Sequence, residues 1–175
     1  INTRFWSARH GAFVDVLRQE RGTREHSITA NSFALMFGTP TSAHACSAFK
    51  HYRRQARQFD PSREGQFMSP YGAFYGLGGL YAYGGDDVAE LTMRTVYARM
   101  IAQATGTIWE HAHPDKSLSH AWSTAPNFYL STRALGVRLG FPETTGLDEI
   151  LLAPQAATLQ WARGIVPHPL GLVEV

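Results

Sequence analysis

The chain has 175 residues, of which 44% are hydrophobic and 12% aromatic, a composition typical of a globular protein with a real core and not of a disordered one. Its formal net charge is only +2 and its arginines are dispersed, so the composition does not support nucleic-acid binding. No apolar run approaches the roughly 20 residues of a membrane-spanning helix, and the N-terminus lacks a signal-peptide pattern.

Three smaller features limit the interpretation further. The single cysteine, Cys46, excludes an intramolecular disulfide, and we expect a small buried side chain there. The densest basic group, Arg53, Arg54 and Arg57, falls on one helix face, which is more typical of a solvated surface than of a phosphate-binding track. Because the chain begins at Ile1 without an initiating Met, we expect it to be a piece of a longer protein, and its compartment is not indicated.

Helices are predicted for the first part of the chain. Residues 5–21 mix aromatic, glycine and polar residues, which predicts a turn with a short extended segment. A first helix is predicted over 27–37, capped at its start by Ser27 or Thr29 and stopped by Gly38. A second is predicted from residue 41 or 42 to 59, where Asp60 and Pro61 break it.

Two further helices have clear end signals. The third begins after Ser69 and Pro70 and ends at Gly84 and Gly85, and its internal glycines predict close helix packing rather than a dinucleotide loop. The fourth begins at Asp86 or Asp87. Its apolar residues follow the i, i+3, i+4, i+7, i+8 rule of a helix with one buried face. These residues are Met93, Val96, Tyr97, Met100 and Ile101.

A fifth helix is predicted over 117–135, in which Pro126 must either open the main helix or kink it. From Val137 onward, prolines and glycines separate short apolar runs, a pattern typical of strands. The sequence therefore predicts a mainly α unit over residues 1–136 and a small β segment over residues 137–175.

The sequence GTIWEHAHP at residues 106–114 combines an indole, a carboxylate and two imidazoles in a predicted loop, which allows three interpretations. His111 and His113 could bind a divalent metal with Glu110, but no ligand spacing completes the set. Alternatively, Trp109 is buried and Glu110 simply faces solvent. The third interpretation is that Glu110 is a general base in a sugar pocket, beside an aromatic wall and the histidines.

Several segments occur in one fixed order: NSFAL at 31–35 with Gly38, SPY at 69–71, GTIWEH at 106–111, and SLSHAWS at 117–123. In this order they resemble the C-terminal half of the catalytic domain of bacterial α-L-rhamnosidases, glycoside hydrolase family 78. The tail segments LGVR, LAPQ, LQWARG and VPHPLG, between residues 135 and 171, are similar to the small β domain that follows it.

The resemblance implies the second half of an (α/α)6 toroid, in an enzyme that removes terminal α-L-rhamnosyl residues with inversion of configuration. It also implies that Glu110 is the general base, that His120 lines the sugar subsite, and that Trp109 and Trp122 form walls against the sugar. For each tryptophan, a packing role is an equal alternative. No metal or other cofactor is implied, and the partner is a rhamnose-containing glycoside or polysaccharide.

An inverting glycosidase needs a second, protonated carboxyl group roughly 6.5 to 9.5 Å from the base. The family carries this acid in the first half of the barrel, and no comparable acidic stretch precedes Ser27. We therefore expect the acid to be supplied by a missing N-terminal half, and the isolated chain to be inactive. The alternative is an inactive truncated remnant that binds sugar or serves as a packing module.

Overall fold

The structure, a computed structural model, describes residues 1–15, 26–58, 60, 69–139, 149–155 and 157–175. These residues are mainly helical, with small antiparallel sheets of two strands each, in agreement with the predicted mainly α fold that carries a small β segment. They separate into two compact units, residues 1–124 and residues 125–175. None of the described helices has the length and apolar character that a membrane crossing requires.

The described residues of the first unit form a short hairpin and four helices. In chain order these elements are β1 (Trp6–Ser7), β2 (Ala12–Phe13), α1 (Ile28–Met36), α2 (Ser42–Arg57), α3 (Gly72–Ala82) and α4 (Asp86–Ile101), followed by a single 3-10 turn (Ala121–Ser123). The hairpin confirms the extended segment predicted near the N-terminus, although residues 16–21 of that prediction lie outside the described residues.

The ends of α1 are set by local signals, as predicted. The Ser27 hydroxyl accepts a hydrogen bond from the backbone N–H of Ala30 at 3.1 Å, which satisfies one of the unpaired donors of the first turn. After the last turn, Gly38 adopts a φ of +60°, the left-handed conformation that ends many helices. The predicted end of α2 at residues 59–61 lies outside the described residues, apart from Asp60.

Glycine at position 79 allows α1 and α3 to pack closely. A Cβ atom at Gly79 would lie 3.2 Å from both the Cβ of Leu35 and the carbonyl oxygen of Ser32 on α1. The Ser69 hydroxyl accepts the N–H of Gly72 at 2.9 Å, and Gly84 has a φ of +72° beyond the helix end, so both predicted end signals are confirmed.

Helix α4 buries the face that its periodicity predicts, with one exception. Met93, Val96, Tyr97 and Met100 are buried, but Ile101 is 66% exposed because it is the last helical residue, where the neighbouring elements no longer cover the stripe. The Tyr97 hydroxyl donates to the carbonyl of Pro70 at 2.8 Å, which ties α4 to the segment before α3.

Helix α2 shows why the expectation for Cys46 is wrong. Its buried stripe consists of Ala48, Tyr52 and Ala56, which are spaced by four residues. Cys46 lies two positions before Ala48, so it points away from that stripe and is exposed.

The exposed side of α2 carries the basic group. Arg53 and Arg57 both form ion pairs with Asp87 in the first turn of α4, at 2.9 Å and 2.6 Å. Burial alone would raise the pKa of Asp87, but the hydrogen bonds from Arg57 and Arg53 outweigh it and lower that pKa. The predicted solvated face is therefore partly a helix-to-helix contact.

The prediction of one continuous fifth helix over 117–135 is wrong. The chain instead forms the 3-10 turn, then α5 (Ala125–Tyr129), then a π-helical turn (Leu130–Ala134). Pro126 occupies the second position of α5, where its missing N–H costs no helical hydrogen bond, so it opens a helix instead of kinking one. Residues 117–120 form backbone hydrogen bonds with residues 108–110 and are not helical.

After these turns, the described part of the second unit forms two antiparallel pairs of strands. Strand β3 (Val137–Leu139) pairs with β4 (Ile150–Leu152), and β5 (Ile165–His168) pairs with β6 (Gly171–Glu174). These pairs confirm that the tail forms strands, as predicted. Pro142 and Gly146, which were predicted to separate strands, lie outside the described residues. The Gly136 carbonyl accepts the N–H of Ala153 at 2.9 Å, which extends the β3–β4 pairing.

Candidate functional site

The loop between α4 and the 3-10 turn folds back on itself. Gly106 has a φ of +59°, which releases the chain from the helical direction. The N–H of Glu110 donates to the carbonyl of Ser117 at 2.9 Å, and the N–H of His120 donates to the carbonyl of Ile108 at 2.8 Å. The Thr107 hydroxyl adds a third bond, to the carbonyl of Leu118. These bonds hold the segments 107–110 and 117–120 side by side.

Trp109 anchors this loop to the core. Its side chain is 2% exposed, and its backbone N–H points at the sulfur of Met100 on α4 at 3.5 Å. Within the described part of the chain, the indole N–H has no hydrogen-bond partner. Burial of this large ring agrees with the packing alternative, and it places the next residue, Glu110, on the outer side of the loop.

Glu110 and His120 meet across the two segments. The His120 Nδ1 atom lies 3.7 Å from Oε2 of Glu110, and the two side chains are 23% and 35% exposed. This separation is within ion-pair range when the imidazole is protonated, but it is longer than a direct hydrogen bond. A carboxylate that is reachable from solvent and has an imidazole beside it has the components of a general base that activates water.

Trp122 lies beside this pair. The His120 and Trp122 rings are 4.6 Å apart between centroids and inclined by 30°, and the Trp122 side chain is 62% exposed. The other face of the cluster is Tyr71, whose ring centroid lies 5.1 Å from that of Trp122. The structure therefore brings Glu110, His120 and Trp122 together at the surface and places Trp109 beneath them.

The two histidines of the HAH segment lie in a different arrangement. His111 Nδ1 is 3.6 Å from Oδ1 of Asp115, four residues further along the chain. No group of three or more histidine, cysteine, aspartate and glutamate side chains could hold a metal ion in the portion of the chain that the structure describes. Among those residues, the metal interpretation of the loop has no complete ligand set.

Sequence reasoning did not include Tyr71 and Tyr75 in the site, although a signal was present. Their hydroxyls lie 3.0 Å apart, and Tyr71 contacts Trp122 directly. The two tyrosines are four residues apart at the start of α3, a spacing that puts both rings on one helix face. That spacing indicates a shared surface, but only the packing of α3 beside the 3-10 turn shows which surface it is.

Comparison with known proteins adds no assignment. A scan of the sequence against protein-family models finds no match, and a search of curated proteins finds no match either. The case for a function therefore depends on the geometry of the site and on the segments that resemble α-L-rhamnosidases.

Proposed function

We propose that the chain is part of an inverting glycoside hydrolase that removes terminal α-L-rhamnosyl residues, with Glu110 as the general base. The observation that carries this proposal is the surface cluster in which His120 lies 3.7 Å from Glu110 and the tilted ring of Trp122 contacts His120. A carboxylate with a neighbouring imidazole and an exposed aromatic ring is a combination suited to a site that hydrolyses sugars.

In this mechanism each named residue has a defined role. Glu110 takes a proton from a water molecule, whose oxygen then attacks the anomeric carbon of the rhamnosyl ring. The bond to the leaving oxygen breaks on the opposite face, and that oxygen takes a proton from a second carboxyl group. The resemblance assigns this acid to the N-terminal half of the barrel. His120 orients the Glu110 carboxylate and lines the sugar subsite, and Trp122 forms its apolar wall.

The fold that belongs to this proposal is the second half of an (α/α)6 toroid. The contacts of α1 with α2 and of α3 with α4 support it, since helices that follow one another in the chain and pack together are the repeating unit of such toroids. In the proposal, the partner that completes the barrel is the missing N-terminal half. No metal is needed, because paired carboxyl groups are sufficient for this chemistry.

The test is hydrolysis of 4-nitrophenyl α-L-rhamnoside by the product of the complete open reading frame that encodes this chain, followed by proton NMR. We expect release of nitrophenol, with β-rhamnose as the first anomer formed. If α-rhamnose forms first, the enzyme retains the anomeric configuration and the inverting mechanism is wrong. A complete protein that binds rhamnose but releases no nitrophenol would instead favour the inactive sugar-binding remnant.

A further inference from the structure

A chain of ring contacts leads away from the Glu110–His120 pair across the first unit. Trp122 contacts Tyr71 at 5.1 Å between centroids, Tyr71 contacts Tyr75 at 5.6 Å, and Tyr75 stacks on Phe33 at 4.0 Å with an interplanar angle of 18°. Phe33 in turn lies 6.1 Å from Phe37. We call these five rings, Trp122, Tyr71, Tyr75, Phe33 and Phe37, the aromatic row.

The aromatic row lies at the surface rather than in the core. Phe37 is 64% exposed at one end, Trp122 is 62% exposed at the other, and Tyr71 between them is 41% exposed. Water contact with so much ring surface is unfavourable, so a contiguous series of exposed rings marks a place where something binds.

The row results from sequence spacing and helix packing together. Phe33 and Phe37 are four residues apart at the end of α1, and Tyr71 and Tyr75 are four residues apart at the start of α3, so each pair shares one helix face. The stacking of Phe33 on Tyr75 joins the two pairs, and it depends on the close approach of α1 and α3 at Gly79.

The chemistry of the row selects its ligand. Its five side chains carry no charge, and its polar atoms are the indole N–H and two hydroxyls that lie 3.0 Å apart. A surface of flat rings with few hydrogen-bonding groups suits a neutral ligand with flat apolar faces and peripheral hydroxyls, such as a saccharide chain. A phosphate or carboxylate ligand would find no counter-charge among these five residues.

We infer that the aromatic row binds the leaving-group side of the substrate, a neutral saccharide chain whose terminal rhamnose sits at Glu110 and His120. This inference rests on the proposed function, because the row begins at Trp122, whose ring contacts that of His120. It adds the substrate class: the preferred substrate is a rhamnose-terminated oligosaccharide or polysaccharide and not a small rhamnoside.

The test compares two neutral ligands on the 175-residue chain by NMR titration: methyl α-L-rhamnoside and a tetrasaccharide with a terminal α-L-rhamnose. We expect the tetrasaccharide to bind about 10-fold or more tightly, because it covers several rings. Phe37→Ala should weaken tetrasaccharide binding by about 3- to 10-fold and leave the Kd of methyl α-L-rhamnoside unchanged, while Tyr71→Ala should weaken tetrasaccharide binding by a similar factor. Phe37→Leu, which keeps apolar bulk but removes the ring, should behave like Phe37→Ala.

Trp161→Ala is the matched control, since Trp161 is a 74% exposed indole in the second unit and is not part of the row. Equal binding of the two ligands, or an equal loss in Trp161→Ala and Tyr71→Ala, would overturn the inference.

Failure of the proposed function has a separate signature. If the complete protein releases no nitrophenol while the row variants still lose tetrasaccharide, only the hydrolase proposal fails. If the complete protein is active and the variants bind both ligands normally, only the aromatic row fails.

Discussion

Glu110 and His120 are ten positions apart in the sequence, yet His120 Nδ1 lies 3.7 Å from Glu110 Oε2 because two backbone hydrogen bonds fix the register of the segments that carry them. One bond joins Glu110 to Ser117 and the other joins His120 to Ile108. The hydrogen bonds within the loop that connects α4 with the 3-10 turn thus hold one carboxylate and one imidazole on the same side.

Glu110→Gln in the complete protein should lower kcat on 4-nitrophenyl α-L-rhamnoside by at least about 100-fold with little change in substrate binding, because glutamine keeps the shape but accepts no proton from water. The matched control is Asp115→Asn, which removes an exposed carboxylate of the same loop that pairs with His111 and not with His120. Near-normal turnover of Glu110→Gln would remove this residue from the mechanism.

Chelation should leave the activity of the complete protein unchanged. The hydrolysis proposed here uses two carboxyl groups and no Lewis acid, and His111 is turned toward Asp115. Activity is measured before and after dialysis against EDTA, together with the zinc content. Stoichiometric zinc, combined with loss of turnover on chelation, would revive the metal interpretation of the HAH segment.

Gly136→Ala should destabilise the protein by about 2 kcal/mol or more, since the residue needs a φ of +73° and an added Cβ would lie 2.3 Å from the backbone of Ala153 and Pro154. The control is Gly38→Ala, where φ is +60° but nothing lies within 4 Å of the added atom, so the cost should be about 1 kcal/mol. Equal losses of unfolding free energy in the two variants, measured by denaturant titration, would show that the backbone at Ala153 moves at no cost to accommodate the added Cβ atom.

Asp87→Asn should reduce the free energy of unfolding by about 1 kcal/mol at neutral pH, because it removes the ion pairs with Arg53 and Arg57. Asp86→Asn is the comparison, as it removes a charge from the same first turn of α4 without touching those ion pairs. Since the folded-state pKa of Asp87 is lowered, its contribution is fully present above the ordinary value of 3.8 and is lost as the pH falls through the folded-state pKa. An Asp87→Asn loss that persists unchanged at pH 2 would contradict this assignment.

Acidification should also destabilise the protein through His51. Burial lowers the pKa of His51 and outweighs the hydrogen bonds that its ring donates to the backbone of His10 and His26, while the neighbouring Arg54 charge lowers the pKa further. A histidine with a lowered folded-state pKa contributes stability that is present above its ordinary value of 6.5 and is lost as the pH falls below it. Thermal melts between pH 7.5 and 5.0 should show a smaller drop in Tm for His51→Phe than for the natural chain. An identical drop would assign the effect to other groups.

Local chemistry alone determined much of the first unit. The Ser27 hydroxyl cap, the left-handed Gly38 and Gly84 and the Ser69 cap act within a few residues of their own position, so the limits of α1 and α3 were predictable from the sequence. The buried face of α4 was predictable for the same reason, because helical periodicity is a property of consecutive residues.

Other features needed the tertiary structure. The exposure of Cys46 depends on which stripe of α2 packs inward, and the loss of a continuous fifth helix depends on hydrogen bonds between residues 117–120 and the earlier segment 107–110. The sequence alone indicated that Glu110 and Trp109 shared a loop, but it left open whether Trp109 was buried in the core or formed a wall of a sugar pocket. That choice was made by the packing of Trp109 against Met100, since a loop that alternates its side chains must turn Glu110 outward once the indole is in the core.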